Sequence, residues 1–368
     1  MSDLLEYKCP CCGGAIAFDS ASQKMKCPYC DTEFDVETLI AYDAELKKDE
    51  EKTDSPSNLG SYDENSGSGD WQEGECDNMV SYVCDSCGGE IVGDENLAAS
   101  SCPYCGNPVI IKHNFSGMLR PDFVIPFKLD RAQAKKAMAE HLRGKKLLPG
   151  AFKDEAHIDE IVGCYVPFWL YDAKANASMR YRATRTSTWS DSRYIYTRTD
   201  HFLLTREGSV SFQRVPEDGS SKMNDDYMES VEPYDYSALT DFQTAYLAGY
   251  FADRYDLDAQ ANAPRAEARM KASTEKAFSA TVGGYVGVTP ESSNINYSDE
   301  NTSYAMLPVW VLNTRYKGKV YRFAMNGQTG KFIGELPCDR GKYWMWVAIV
   351  FGISAAVCAL ILALLGLL

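Results

Sequence analysis

The chain has 368 residues, 45 % of them hydrophobic and 12 % aromatic, with a formal net charge of −15. That much apolar material excludes a wholly disordered protein and is enough for two or three domains. The acidic balance disfavours a protein that grips nucleic acid, because phosphate contacts need clustered Lys and Arg.

Residues Met1 to Lys8 carry acids and lack the apolar core of a secretion signal, so a reducing cytosolic setting is expected. Cys9 and Cys12, then Cys27 and Cys30, form two C-x2-C pairs separated by fourteen residues. The same pattern returns 75 positions later as Cys84, Cys87, Cys102 and Cys105. Two residues between cysteines let one tight turn aim both sulfurs at one ion, and two such turns close a tetrahedral four-thiolate site. Soft sulfur donors favour zinc, so two structural Zn2+ ions are expected, one in a zinc ribbon over 1–35 and one in a second ribbon over 78–112. A saturated site has no open position for water or substrate, and neither segment has the βαβ context of a redox C-x2-C. The glycines after Cys12 and Cys87 suit a left-handed turn, and Pro10, Pro28 and Pro103 stiffen the loops.

Between the ribbons, 36–77 reads as a short helical stretch followed by an acidic linker from Asp49 to Asp77 with Gly67-Ser68-Gly69 at its middle. Such a composition buries too little surface to offset chain entropy, so the ribbons are expected to be tethered rather than fused. Ribbon one has three lysines against six acids, and ribbon two has Lys112 against four. With four thiolates adding further negative charge, these look like protein-binding modules.

From 119 to 338 the pattern is that of an α+β domain with antiparallel strands. Phe123 to Phe127 reads as extended, and Asp130 is placed to cap a helix reaching Gly144. Cys164-Tyr165-Val166-Pro167-Phe168-Trp169-Leu170-Tyr171 recurs in outline as Met306-Leu307-Pro308-Val309-Trp310-Val311-Leu312, which points to two related β units. Strands are expected across Ser178–Phe212, and helices near Leu239–Arg254 and Pro264–Ala280. Lys317-Gly318 and Asn326-Gly327 mark hairpin turns. Asn326 to Lys331 has the look of a phosphate loop but lacks its leading glycine and the Ser/Thr after lysine. The histidines at 113, 141, 157 and 201 form no ligand or catalytic spacing, Cys164 reads as a small hydrophobe, and no enzyme is expected. Arg180, Arg182, Arg185, Arg193 and Arg198 form one basic group. Arg315, Lys317, Lys319, Arg322, Lys331, Arg340 and Lys342 form another, with 315, 317 and 319 expected on one strand face that can meet anionic lipid.

The last 26 residues, 343–368, contain no charge. As a helix they span roughly 39 Å, enough for one crossing of a hydrocarbon layer about 30 Å thick. Trp344 and Trp346 suit the headgroup level, and Arg340 and Lys342 before the span keep the N-terminal part cytoplasmic by the positive-inside rule. Gly352 and Ala356 are spaced to seat another helix, so an oligomer is one possible outcome.

The tandem C-x2-C ribbons, the Val-Pro-Phe-Trp and Leu-Pro-Val-Trp segments, Tyr246-Leu247-Ala248-Gly249-Tyr250 and the terminal apolar helix together resemble a bacterial family of membrane-anchored double zinc ribbon proteins. Its members are labelled TFIIB-type zinc ribbon proteins or primosomal-helicase-like proteins. Some are encoded beside phage-shock-protein-A-like and flotillin-like (SPFH) proteins. The resemblance implies a single-pass adaptor in the cell membrane that recruits such partners in an envelope-stress response. The alternative is a transcription- or replication-associated zinc ribbon protein. The helicase label conflicts with the missing phosphate loop.

Overall fold

The computed structural model describes residues 9, 16–36, 71, 79–84, 86–94, 102–105, 107, 111–114, 119–153, 161–222, 225–317 and 319–364. Cys12, His157, the helical stretch beyond Val36 and the acidic linker other than Trp71 lie outside these residues.

A small sheet is built from β1 (Ala17–Asp19), β2 (Lys24–Lys26) and β3 (Glu33–Phe34). A second, mixed sheet of eleven strands holds the rest. Its strands are β4 (Met79–Val83), β5 (Glu90–Asp94), β6 (Ile111–Asn114), β7 (Phe123–Val124), β8 (Val162–Ser190), β9 (Ile195–Asp218), β10 (Thr240–Asp241), β11 (Phe251–Asp253), β12 (Gly287–Tyr316), β13 (Lys319–Asn326) and β14 (Phe332–Gly334). The helices are α1 (Arg131–Leu142), α2 (Asp225–Val231), α3 (Ala259–Ala280) and α4 (Arg340–Leu364).

The strands run β10-β7-β12-β8-β11-β5-β4-β6, with β9 paired to β8, β13 to β12 and β14 to β13. At the centre, β8 and β12 are antiparallel, and the two similar segments lie against one another: Pro167 faces Met306 and Pro308 faces Tyr165. The same hydrogen bonds occur on both sides of this pair. Trp169 Nε1 donates to Leu257 O at 2.8 Å, as Trp310 Nε1 does to Leu129 O at 3.2 Å. Gly219 N donates to Pro167 O at 2.9 Å, as Gly327 N does to Pro308 O at 2.8 Å. Leu257 N then donates to Gly219 O, as Leu129 N does to Gly327 O. Asp130 and Asp258 cap α1 and α3 with the same φ of −74° and ψ of 170°.

Here both sheet faces are covered, which explains the unbroken apolar runs of β8 and β12. Tyr165, Trp169, Tyr304, Met306 and Trp310 join a core with α1 and the first cysteine unit. Cys164, Val166, Phe168, Leu307 and Val309 join the core on the other face, with α2 and the second unit. Further out, Ala175, Ala177, Met179 and Tyr181 of β8 are buried while Lys174, Asn176, Arg180 and Arg182 are exposed. Phe278 of α3 packs with Ala177, Met179 and Tyr181, so only one face is covered and the sequence alternates. The β12 pairing ends at Gly287–Thr184, and beyond it 185–200 continues as a two-stranded hairpin.

The units are not merely tethered. Ile16, Phe18 and Met25 of the first are part of the main core, and Gln23 Nε2 donates to Phe127 O. β5 of the second pairs with β11 through Val92–Ala252 and Ile91–Asp253, so its strands extend the large sheet. Burial of those apolar side chains favours the docked arrangement of both units. The helix expected over Leu239–Arg254 is replaced by β10, a 3-10 turn over Thr244–Leu247 and β11. Gly249 at φ +86° turns the chain, and pairing of Phe251 and Ala252 with Cys164 and Tyr165 takes the segment into the sheet. The helix expected from Pro264 starts earlier, because Asp258 caps its first turn by accepting from Ala261 N at 2.7 Å. Lys317 lies in the β12–β13 turn at φ +50°, so 315, 317 and 319 do not share one continuous strand face.

Candidate metal centres

The second centre is built at the end of β4, where the chain folds tightly after Cys84. Gly88 N donates to Cys84 O at 2.8 Å, Cys84 N donates to Gly89 O at 2.9 Å, and Gly88 takes φ +66°. The turn at Cys102-Pro103-Tyr104-Cys105 is closed by Cys102 N donating to Asn107 O at 2.7 Å, and Asn313 of β12 holds Pro103 O. All four sulfurs lie within 4.8 Å of one another. Cys84 and Cys105 sulfurs are 3.6 Å apart, as are those of Cys87 and Cys102. A disulfide would bring them to about 2.05 Å. A tetrahedron with metal–sulfur bonds of about 2.3 Å has edges of about 3.8 Å, so the four thiols fit a metal ion. Burial opposes ionisation of Cys84, but the amides of Cys87 and Ser86 outweigh it and bring the thiol down to about 7. Burial raises Cys102, against amides of Cys105 and Tyr104 that favour its thiolate. A bound cation would complete that stabilisation.

In the first centre Cys9, Cys27 and Cys30 come together within the same 4.8 Å, with the Cys9 and Cys30 sulfurs 3.5 Å apart. Cys27 N donates to Thr32 O at 3.0 Å and Asp31 N to Cys27 O at 2.9 Å, closing that turn. Cys12, the fourth expected ligand, is outside the described residues. Thus seven of the eight expected cysteines are described, and they fall into two clusters able to hold metal.

The repeat conceals one difference. Tyr29 and Tyr104 occupy the same place in Cys-Pro-Tyr-Cys, yet Tyr29 is 76 % exposed and Tyr104 is 1 % exposed. Tyr104 enters the core on the α2 face, close to Asp253 and Cys164. Asp253 is fully buried, and neither of its oxygens has a hydrogen-bond partner among the described residues. Burial pushes its carboxyl up to about 7; the nearby hydroxyls of Ser220 and Tyr104 oppose the shift and Asp256 adds to it. Beside it, Arg254 Nη1 meets Glu90 Oε2 at 2.7 Å, tying β11 to the second unit. No local pattern marks Asp253 in the sequence; it appears only when β11 pairs with β5.

The other candidates remain apart. His113 lies on β6, His141 lies against Phe332 with ring centroids 4.3 Å apart and the rings tilted, and His201 is exposed on β9. Cys164 is buried in the sheet. Of the second basic group, Lys319 pairs with Glu335 at 3.2 Å, Arg322 reaches Lys222 O, and Lys331 reaches Glu232 O. In the first, Arg182 pairs with Glu291 at 2.7 Å and Arg198 with Asp200 at 2.9 Å. α4 contains a 20-residue segment, Arg340–Ala359, long and apolar enough to cross a membrane and unburied by the rest of the chain.

Fold and site define a sheet-rich protein carrying two cysteine clusters able to hold metal and one C-terminal helix able to span a bilayer. Neither a family model nor a solved structure matches the chain. It is 32 % identical over 351 residues to the uncharacterized protein YdjG of Bacillus subtilis (strain 168), covering 95 % of each, and it belongs to the YdjG family.

Proposed function

We propose that the protein is a membrane-anchored cytoplasmic adaptor with structural zinc at both cysteine centres. Zinc accords with soft sulfur donors and with sulfur separations close to a tetrahedral edge. Four sulfurs saturate the second centre, so its ion stabilises the sheet and the two units act as staples. The positive-inside rule, applied to Arg340 and Lys342, puts the sheet domain in the cytoplasm.

The observation that carries the adaptor reading is the end of the β8–β9 hairpin. Residues 185–200 pair only with one another. They expose Trp189, Tyr194, Ile195 and Tyr196, with Trp189 stacked on Tyr196 at 5.7 Å. A two-stranded ribbon is marginal in water, and Trp, Tyr and Arg dominate the energetic centres of protein interfaces. Asp339, just before α4, is bonded to Leu147, and nearby Phe152 packs on Tyr316 and Tyr321 at the other end of β12. Residues 162–184 alone cover about 70 Å of strand, so the tip is held far from the helix. This suits an arm that recruits protein partners from the cytoplasm. Phage-shock-protein-A-like or flotillin-like proteins in an envelope-stress response are the partners the family resemblance favours.

The test is crosslinked affinity purification of the full-length protein from nuclease-treated membranes, compared with a variant in which 185–200 is replaced by Asn-Gly. Loss of specific protein partners in the shortened variant is expected. Equal recovery from both, or recovery of replication or transcription proteins that nuclease abolishes, overturns the reading.

A further inference from the structure

We infer that the loop after α1 and the first turns of α4 together form a binding site for the phosphate headgroups of anionic lipids. The inference rests on α4 being a membrane span. The loop is tied to the helix at three points. Asp339 N donates to Leu147 O at 2.8 Å, Lys342 Nζ donates to Leu148 O at 2.7 Å, and Lys146 Nζ stands 4.2 Å from the ring centroid of Trp346. Trp344 and Trp346 lie in the first two turns of α4, where interfacial aromatics meet the headgroups. The contact with Trp346 therefore sets Lys146 at headgroup depth.

The cations gathered here come from two distant stretches of sequence. Arg143, Lys145 and Lys146 follow α1, and Arg340 and Lys342 begin α4. Arg143, Lys145 and Arg340 are exposed and have no carboxylate partner among the described residues. Lys146 faces a ring and Lys342 a carbonyl, so both keep their charge unneutralised. Asp339 uses its Oδ1 on the amides of Gly341 and Lys342, and Glu140 is the other acid of these segments. Five cations against two acids leave a net +3 at the point where the helix enters the bilayer. Of the strand cations, Lys319 is neutralised by Glu335, and Arg322 and Lys331 point to carbonyls of the sheet domain rather than to the start of α4.

The test uses full-length protein in phosphatidylcholine vesicles with an equal fraction of either phosphatidylglycerol or phosphatidylcholine brominated near the headgroup, read by tryptophan quenching. Stronger quenching by the brominated phosphatidylglycerol is expected. The variant Arg143→Gln/Lys145→Gln/Lys146→Gln should lower that preference by about fivefold or more, given the contribution of a basic residue near anionic lipid. Lys146→Arg, which keeps the cation, should retain it. Equal quenching by both lipids in the unaltered protein, or an undiminished preference in the triple variant, overturns the headgroup site while the membrane span stands. Absence of quenching by either lipid overturns both.

Discussion

Asp253→Asn isolates the cost of a buried carboxylate. In the folded chain the group titrates at about 7, against an ordinary value of 3.8. The unfolded chain releases this proton first, so between these values the folded state binds more protons and stability falls as pH rises. The whole displacement is worth about 4 kcal/mol, fully present above the folded pKa and absent below pH 4. Between pH 5 and pH 8 it amounts to about 3 kcal/mol. Asparagine fills the same space without titrating. The assay is denaturant unfolding of full-length protein and variant in detergent micelles at both pH values with saturating metal. The variant should gain about 3 kcal/mol relative to the parent on going from pH 5 to pH 8. Taking the difference cancels loss of metal at low pH, which affects both proteins. Stability curves that stay parallel across this range would refute the assignment of an unpaired, buried carboxyl.

Metal removal should reach beyond the cysteine turns, because β5 is paired with β11. Chelation, or Cys84→Ser, is expected to abolish amide hydrogen-exchange protection at 90–94 and 251–253 while α4 stays in the membrane; protection kept at 251–253 would separate metal binding from the sheet. Gly163→Ala would place a Cβ 2.6 Å from Tyr250 Cδ1 and 3.2 Å from Trp310 Cζ3. Tyr250 is stacked on Phe127 at 4.2 Å, a contact that its displacement would disturb, so a loss of about 1–3 kcal/mol in unfolding free energy is expected.

Sequence alone determined those features whose cause is local. The C-x2-C spacing brings two sulfurs together through a single tight turn, and seven cysteines meet in the two expected clusters. Asp130 reads as an N-cap because a short acceptor there satisfies the first free amides, and it accepts from Gln133 N. Lys317 lies between the paired strands β12 and β13, as turn chemistry requires. The apolar run at the C-terminus forms one long unburied helix, since length and composition are enough to specify it.

Tertiary structure decided whatever depends on distant partners. The segment 239–254 has helical spacing, yet the open edges of β7 and β8 capture parts of it as β10 and β11. Two identical Cys-Pro-Tyr-Cys turns send one tyrosine to solvent and the other into the core on the α2 face, a difference set by how each turn sits on its neighbours and not by its own sequence. Asp253 gains its raised pKa from burial where β11 pairs with β5, a strand distant in sequence, against the opposing hydroxyls of Ser220 and Tyr104. Lys146 and Trp346 meet only because the loop after α1 packs against the start of α4. Local spacing fixes ligand sets, caps and spans; which faces are left uncovered, and which charges meet, follows from non-local pairing that one strand's sequence does not encode.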